Sequence, residues 1–283
     1  MDRFVIAMSI LSGATVFVAE SKDAAKQSPT HGRINRMRLK CIGCEALARP
    51  IYWCAAQSPH TIDVEMLRYG LHNTPADLRA RLQERIDATE DAYDAIVLVY
   101  GLCGQASAGL RARTTRLVIP RAHDCITLFL GSRTRYQAEF DQHPGTYWYV
   151  QDYLERRDGS GSGLAIGAGS AAETENKYAE YVAKFGKENA DYLMQVMGEW
   201  QKHYNRAAFI HLGVGDASHT QAQAQETAAQ RGWAFERVAG DLVLVRRLLN
   251  GDWQNDFLIV EPGGQIEMSY DDAVMRCARS GET

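Results

Sequence analysis

The sequence has no excess of positive charge and few cysteines. Among its 283 residues, 31 Lys and Arg stand against 35 Asp and Glu, so the formal net charge is −4. Such a balance produces no global field that would attract a nucleic-acid backbone or an anionic membrane, and we expect neither as a partner. Six cysteines in a chain of this length are too few for a disulfide scaffold.

The N-terminal apolar run is also too short to span a bilayer comfortably. It covers residues 4–19 and has the length of a signal-peptide core. The flank before it lacks a strong positive charge, and Phe17 would occupy a cleavage position that requires a small residue. We therefore predict that residues 1–36 are a dispensable extension, that the natural start is Met37, and that the protein is cytoplasmic. A weak export signal at residues 1–19 is the alternative.

Strand and helix patterns alternate along the rest of the chain. Short apolar runs predict strands at residues 38–43, 61–67, 94–100, 116–120, 207–212, 233–238 and 257–260. Helical patterns lie at residues 45–57, 74–89, 124–140, 178–204, 218–231 and 242–249. Pro50 is expected to kink or shorten the first of these helices. The alternation predicts an α/β fold of two Rossmann-like lobes with mainly parallel sheets, facing a shared cleft.

A Gly/Ser-rich stretch at residues 159–170 is typical of a linker or a long surface loop. It divides the chain into an N-terminal α/β lobe at residues 37–150, a linker or loop at 151–170, and a C-terminal α/β lobe at 171–283.

Thiols and imidazoles follow four consecutive predicted strands of the N-terminal lobe. Cys44 follows the first strand, His72 the second and Cys103 the third, whereas His123 and Cys125 follow the fourth. The carboxyl ends of parallel strands lie at one edge of a sheet, where ligands bind in open α/β folds. We therefore expect these five side chains to converge on one site.

This set of residue types suits a soft metal. Three thiolates with an imidazole can bind zinc, or hold an iron–sulfur cluster. The competing interpretation is that these three cysteines are small buried hydrophobes. We prefer the metal or reactive-thiol interpretation for the set, and the hydrophobic one for Cys41 and Cys54. Arg121 is a candidate for binding a carboxylate or a phosphate of a cofactor or substrate.

Several segments resemble a known protein family. They are Leu71-His72-Asn73-Thr74-Pro75, Tyr100-Gly101-Leu102-Cys103-Gly104, Pro120-Arg121-Ala122-His123-Asp124-Cys125-Ile126, Leu130-Gly131-Ser132 and Pro144-Gly145-Thr146-Tyr147-Trp148. Together they are similar to a domain-of-unknown-function family of cysteine-containing prokaryotic α/β proteins. Genes of that family often lie near corrinoid-dependent methyltransferases of the trimethylamine type. The resemblance implies that Cys44, His72, Cys103, His123 and Cys125 belong to the family pattern, and it supplies a context but no reaction.

Two classes of function remain open. The protein could be an enzyme that uses zinc or an iron–sulfur cluster, in corrinoid-linked methyl transfer or as a cluster-dependent hydro-lyase that acts on a small molecule. It could instead be a non-catalytic carrier of metal or cofactor, with a corrinoid protein as a possible partner. The same ligands serve a carrier and a catalyst, so turnover of a substrate is what separates the two classes.

Overall fold

A computed structural model describes residues 36–156, 181–183, 186–191 and 204–279. The strands in these ranges are β1 (Arg38–Cys44), β2 (Thr61–Leu67), β3 (Ala95–Val99), β4 (Leu117–Pro120), β5 (Thr146–Val150), β6 (Arg206–His211), β7 (Ala234–Ala239), β8 (Phe257–Val260), β9 (Gly264–Met268) and β10 (Met275–Arg279). The helices named below are α1 (Ala48–Gln57), α2 (Pro75–Asp87), α3 (Cys125–Leu130), α4 (Arg133–Gln142), α5 (Gln151–Glu155), α6 (Ser218–Arg231) and α7 (Val243–Leu249). No helix within these ranges is both long enough and apolar enough to cross a bilayer.

The larger sheet has the strand order β2-β1-β3-β4-β8. Its first four strands are parallel, and β8 runs antiparallel to β4. Strand β3 is buried along its whole length, because helices and loops cover both faces of the sheet. Alternate residues of β3 therefore enter two separate cores: Val97 packs with α1 and α7, whereas Leu98 packs with α2. The α/β class and the mainly parallel pairing predicted from the sequence are confirmed.

A second sheet of three parallel strands has the order β5-β6-β7. One face of this sheet packs against α6 through Phe209 and Ala224. The other face enters the core of the larger sheet, where Ala208 and Ile210 pack in the same cluster as Phe129. The two sheets thus share a hydrophobic core.

The sheets do not follow the predicted lobe boundaries. Strand β5 comes from the predicted N-terminal lobe but pairs with β6, and β8 comes from the predicted C-terminal lobe but pairs with β4. The described residues from Arg36 onward therefore belong to one structural unit. The Gly/Ser-rich stretch and most of the helix predicted at residues 178–204 lie outside the described ranges.

Pro50 shortens the first helix and does not kink it. The chain forms a 3-10 helix at Glu45–Leu47, and α1 begins only at Ala48. Pro50 is then in the first turn of α1, where a backbone N–H has no intrahelical acceptor, so its missing donor costs no hydrogen bond.

Candidate functional site

The larger sheet reverses its strand order between β1 and β3. The chain passes from β1 to β2 on one side and then returns to place β3 on the other side of β1. At such a reversal the two following loops diverge and leave a crevice outside the carboxyl ends of the strands. Cys44 is the last residue of β1, and Cys103 lies in the loop after β3. Two of the predicted ligands therefore flank this crevice.

A cavity of about 280 Å³ lies at this edge. Four of the five predicted metal ligands line it: Cys44, His72, Cys103 and Cys125. The opposite wall comes from the start of β5 and from Tyr204, just before β6. The cavity is thus bordered by thiols and an imidazole of the larger sheet and by aromatic side chains of the smaller one.

The three thiols lie close enough to interact electrostatically. Burial, followed by negative charge on Cys125, raises the pKa of Cys44 to about 12. Burial, followed by negative charge on Cys44, likewise raises the pKa of Cys103 to about 12. Burial raises the pKa of Cys125 well above its usual value, and charge on Cys103 adds to this effect. At neutral pH the thiols are therefore protonated unless a cation replaces their protons.

Cys44 and Cys125 both lie at the start of a helix. Cys44 precedes the 3-10 helix at Glu45–Leu47, and Cys125 is the first residue of α3. A hydrogen bond from the Ala46 amide lowers the pKa of Cys44, but burial is the larger effect. Position at a helix start alone does not keep these thiols ionised.

The loop that carries Cys103 has an unusual backbone. Cys103, Gly104 and Gln105 all have positive φ angles, of 47°, 65° and 71°. Left-handed conformations cost non-glycine residues about 1–2 kcal/mol each. Such strain persists only where surrounding structure enforces it, and it clusters at functional sites. Here the Cys103 amide donates to the His123 carbonyl at 3.0 Å, which ties this loop to the one that carries Cys125.

Gly101 permits the close approach of these two loops. A Cβ at this position would lie 2.8 Å from the Asp124 Cα and 2.9 Å from the Ala122 carbonyl oxygen. Both are backbone atoms, so they cannot rotate away. The absence of a side chain at Gly101 makes room for the neighbouring loop, which brings Cys103 towards Cys125.

His72 has one ring nitrogen fixed and the other without a partner. Its Nδ1 lies 2.5 Å from the Tyr69 carbonyl oxygen, and a carbonyl can only accept, so Nδ1 carries the proton. Its Nε2 is buried and has no hydrogen-bond partner among the described residues. Metal-binding histidines are oriented in this way, by a backbone carbonyl on the nitrogen opposite the metal.

Tyr153 is a site residue that the sequence analysis missed. Its hydroxyl lies 2.7 Å from the Cys125 Sγ, and this contact lowers the pKa of the thiol against the larger effect of burial. Its ring stacks on Tyr69 at 5.5 Å and meets Phe129 edge-on. Tyr153 follows β5, and the sequence analysis did not predict a strand there. The signal that selected the other residues was therefore missing.

Changing Tyr153 to Phe should slow the reaction of Cys125 with iodoacetamide. A hydrogen bond to an ionised group contributes about 1.5–3 kcal/mol, so its loss should raise the thiol pKa and reduce the rate about tenfold at fixed pH. Peptide-level mass spectrometry measures this rate, with the exposed Cys277 as internal reference. Equal rates at Cys125 in both proteins would show that the Tyr153 hydroxyl has no influence on this thiol.

Asp124 borders the cavity but is already engaged. Its carboxylate accepts hydrogen bonds from the Ile126 amide and from the Tyr136 hydroxyl, both at 2.9 Å. Burial raises its pKa although these hydrogen bonds act in the opposite direction. The carboxylate caps α3 and fixes the position of Cys125 at the first turn.

His123 and Arg121 do not line this cavity. The His123 side chain is exposed and its ring stacks on Tyr136, so this residue reaches the site only through its backbone carbonyl. The Arg121 guanidinium donates to the carbonyl oxygens of Phe257, Ala273 and Met275, and it thereby holds β8 and β10 together. Of the six predicted site residues, these two therefore lie outside the cavity that the other four line.

The other cysteines also lie away from the cavity. Cys41 and Cys54 are buried in the core of the larger sheet, and Cys277 is exposed on β10. Among the described residues, no group of three His, Cys, Asp or Glu side chains has the arrangement of a metal site. Metal binding by Cys44, Cys103 and Cys125 would therefore require their side chains to move closer together.

Two polar side chains of the cavity wall were also missed from the sequence. Arg68 directly follows β2 and lines the cavity, so the strand-end criterion would have found it had charged residues been included. Tyr100 directly follows β3, and its buried hydroxyl has no hydrogen-bond partner among the described residues.

Comparison with protein families gives a match over most of the described chain. The family described as "Protein of unknown function (DUF1638)" matches residues 66–249. This chain belongs to the DUF1638 family. The matched range contains His72, Cys103 and Cys125, whereas Cys44 precedes it. For this DUF1638 protein, no curated protein and no solved structure gives a match.

Proposed function

We propose that this DUF1638 protein is a metalloprotein in which Cys44, Cys103 and Cys125 bind zinc or an iron–sulfur cluster and His72 completes the donor set. The observation that carries the proposal is the buried Nε2 of His72, which has no partner among the described residues and belongs to the wall that contains the three thiols. A buried acceptor without a hydrogen bond costs about 1–3 kcal/mol, and a bound cation would remove this cost.

The chemistry of the donor set fits a soft metal. Thiolates and imidazole are the ligands that zinc prefers, and three thiolates also suit a cluster. The His72 ring is held by the Tyr69 carbonyl, and the Cys125 thiol by the Tyr153 hydroxyl. When bound, zinc would act as a Lewis acid, and a cluster with an open iron could activate a hydroxyl group.

The cavity favours an enzyme over a carrier. Its volume of about 280 Å³ approaches that of small-molecule sites, and Tyr147 and Trp148 line it. A carrier needs the ligands alone, whereas a catalyst also needs space for a substrate beside them. We place the reaction in corrinoid-linked one-carbon metabolism, with a methyl-transfer step, on the basis of the family resemblance. A cluster-dependent hydro-lyase and a non-catalytic carrier are the alternatives.

Removing one thiol should abolish metal binding. We expect anaerobically purified wild-type protein to contain stoichiometric zinc or iron, and Cys103→Ser to retain less than about a tenth of it, because serine is a poor ligand for soft metals. Elemental analysis measures the content, and the visible spectrum distinguishes zinc from a cluster. Cys277→Ser is the matched control, because it removes an exposed thiol away from the cavity.

The wild type and Cys277→Ser should contain equal amounts of metal. Equal metal in Cys103→Ser, or none in the wild type after reconstitution, would contradict the proposal and return the cysteines to the role of small buried hydrophobes. Circular dichroism of Cys103→Ser shows whether the loss of metal is separate from unfolding.

A further inference from the structure

Arg68 is a cation of the cavity wall without a partner in the described part of the chain. No hydrogen bond or ion pair engages its guanidinium there. The acidic side chains of β2, which Arg68 follows, are already paired: Asp63 with Arg38, and Glu65 with Arg85. Arg68 is an exposed residue of the cavity wall, and its guanidinium is therefore free to pair with a ligand there.

No carboxylate among the described residues of the wall forms an ion pair with Arg68. Arg68 is the only Arg or Lys among the described residues of the wall. Asp124 is an acid of the same wall, but its carboxylate oxygens are held by the Ile126 amide and the Tyr136 hydroxyl. An anionic ligand could therefore pair with the Arg68 guanidinium, because no carboxylate among the described residues of this wall competes for it.

The other side of the cavity is apolar. Tyr147, Trp148 and Tyr204 line it, and the Tyr147 and Tyr204 rings pack edge-to-face at 5.6 Å. Such a wall suits the apolar or planar body of a small molecule. The Tyr100 hydroxyl adds a hydrogen-bond donor without a partner among the described residues, and donors of this kind complement oxygen acceptors.

We propose that the cavity binds a small organic carboxylate, whose anionic group pairs with Arg68 and whose apolar body lies against Tyr147, Trp148 and Tyr204. This inference extends the proposed function, because it names the substrate class for the cavity beside the thiols. Guanidinium pairs with carboxylates through two parallel hydrogen bonds, which fix the orientation of the ligand as well as its charge. The opposite end of the ligand would then lie towards the thiols.

Aromatic walls also bind quaternary ammonium ions, by cation–π attraction. The free positive charge of Arg68 opposes such a ligand and favours an anion. If the natural ligand is an anion, a carboxylate probe should bind more tightly than a cationic probe of similar size. A quaternary ammonium ligand predicts the opposite order.

Calorimetric titration with benzoate and hexanoate tests the inference, with benzamide as the uncharged probe and benzyltrimethylammonium as the cationic one. Wild-type protein should bind at least one carboxylate more tightly than benzamide. Arg68→Gln should weaken that binding about tenfold or more, because a charge-assisted pair is lost. Arg237→Gln is the matched control: Arg237 is exposed on β7 and outside the cavity wall, and its replacement should leave the affinity unchanged.

The inference is overturned if neither carboxylate binds, if Arg68→Gln binds as tightly as the wild type, or if the cationic probe binds best. Metal content is measured on every sample, and the titration is repeated after dialysis against a chelator. Arg68-dependent carboxylate binding by protein that never contains metal would support the inference and contradict the proposed function. Metal-loaded protein that binds no carboxylate would support the proposed function and contradict the inference.

Discussion

The zinc affinity of the protein is expected to rise about a thousandfold for each pH unit between about pH 6 and 8. In the absence of metal, burial raises the pKa of Cys44 and Cys103 to about 12 and that of Cys125 well above its usual value. All three thiols are therefore protonated in this pH range. Each must release its proton to bind as a thiolate, so binding of one zinc ion releases about three protons.

Competition against a chelator of known affinity at several pH values measures this slope. Calorimetry in two buffers with different ionisation enthalpies counts the protons directly. Cys103→Ser should release about two protons and show a slope of about a hundredfold per pH unit, in whatever weak binding it retains. A slope below about tenfold per unit in the wild type would show that these thiols are not the ligands or are already ionised.

The sequence could predict the position of the site because of a property of parallel sheets. Strands that run in the same direction end at the same edge, so residues just beyond them are close in space although distant in sequence. Cys44 and Cys103 lie at the edge that this rule predicts, and their strands also flank the reversal of strand order. His72 enters through the 3-10 helix that follows β2.

The same rule could not predict side-chain direction within a loop. His123 lies only two residues before Cys125, yet its carbonyl accepts from the Cys103 amide and its ring is exposed. Arg121 follows β4, but the carbonyls of the neighbouring β8 and β10 segments bind its guanidinium. For Arg121 the outcome depends on contacts with segments more than 100 residues away, and such contacts have no local signal.

The sequence also could not assign β5. Its residues Tyr147, Trp148 and Tyr149 form an aromatic run without apolar–polar alternation, because both faces of the strand are covered. Because this strand was not predicted, nothing in the sequence assigned Tyr153 to the site. The β9–β10 hairpin was missed as well, although its Ile266 and Met275 complete the core that contains α2.

Arg206, the first residue of β6, is expected to be the most important ionic side chain for the stability of the smaller sheet. Its side chain is 7% exposed, and it pairs with Glu139 of α4 at 2.9 Å and with Glu236 of β7 at 2.8 Å. It also donates to the Thr146 hydroxyl at 3.1 Å, at the start of the strand that forms the aromatic wall. Arg206→Met should lower the free energy of unfolding by about 3 kcal/mol, because it removes a buried cation and leaves the partly buried Glu139 without its counter-ion.

Equilibrium unfolding in urea measures this loss, and a second substitution identifies its cause. Because most of the cost comes from the unpaired Glu139, adding Glu139→Leu to Arg206→Met should restore a large part of the stability. Arg276→Met removes the same kind of pair from the surface, where Arg276 is 69% exposed beside Glu267, and it should change the free energy by less than about 1 kcal/mol. Equal effects of Arg206→Met and Arg276→Met would mean that burial of the Arg206 pair has no energetic consequence.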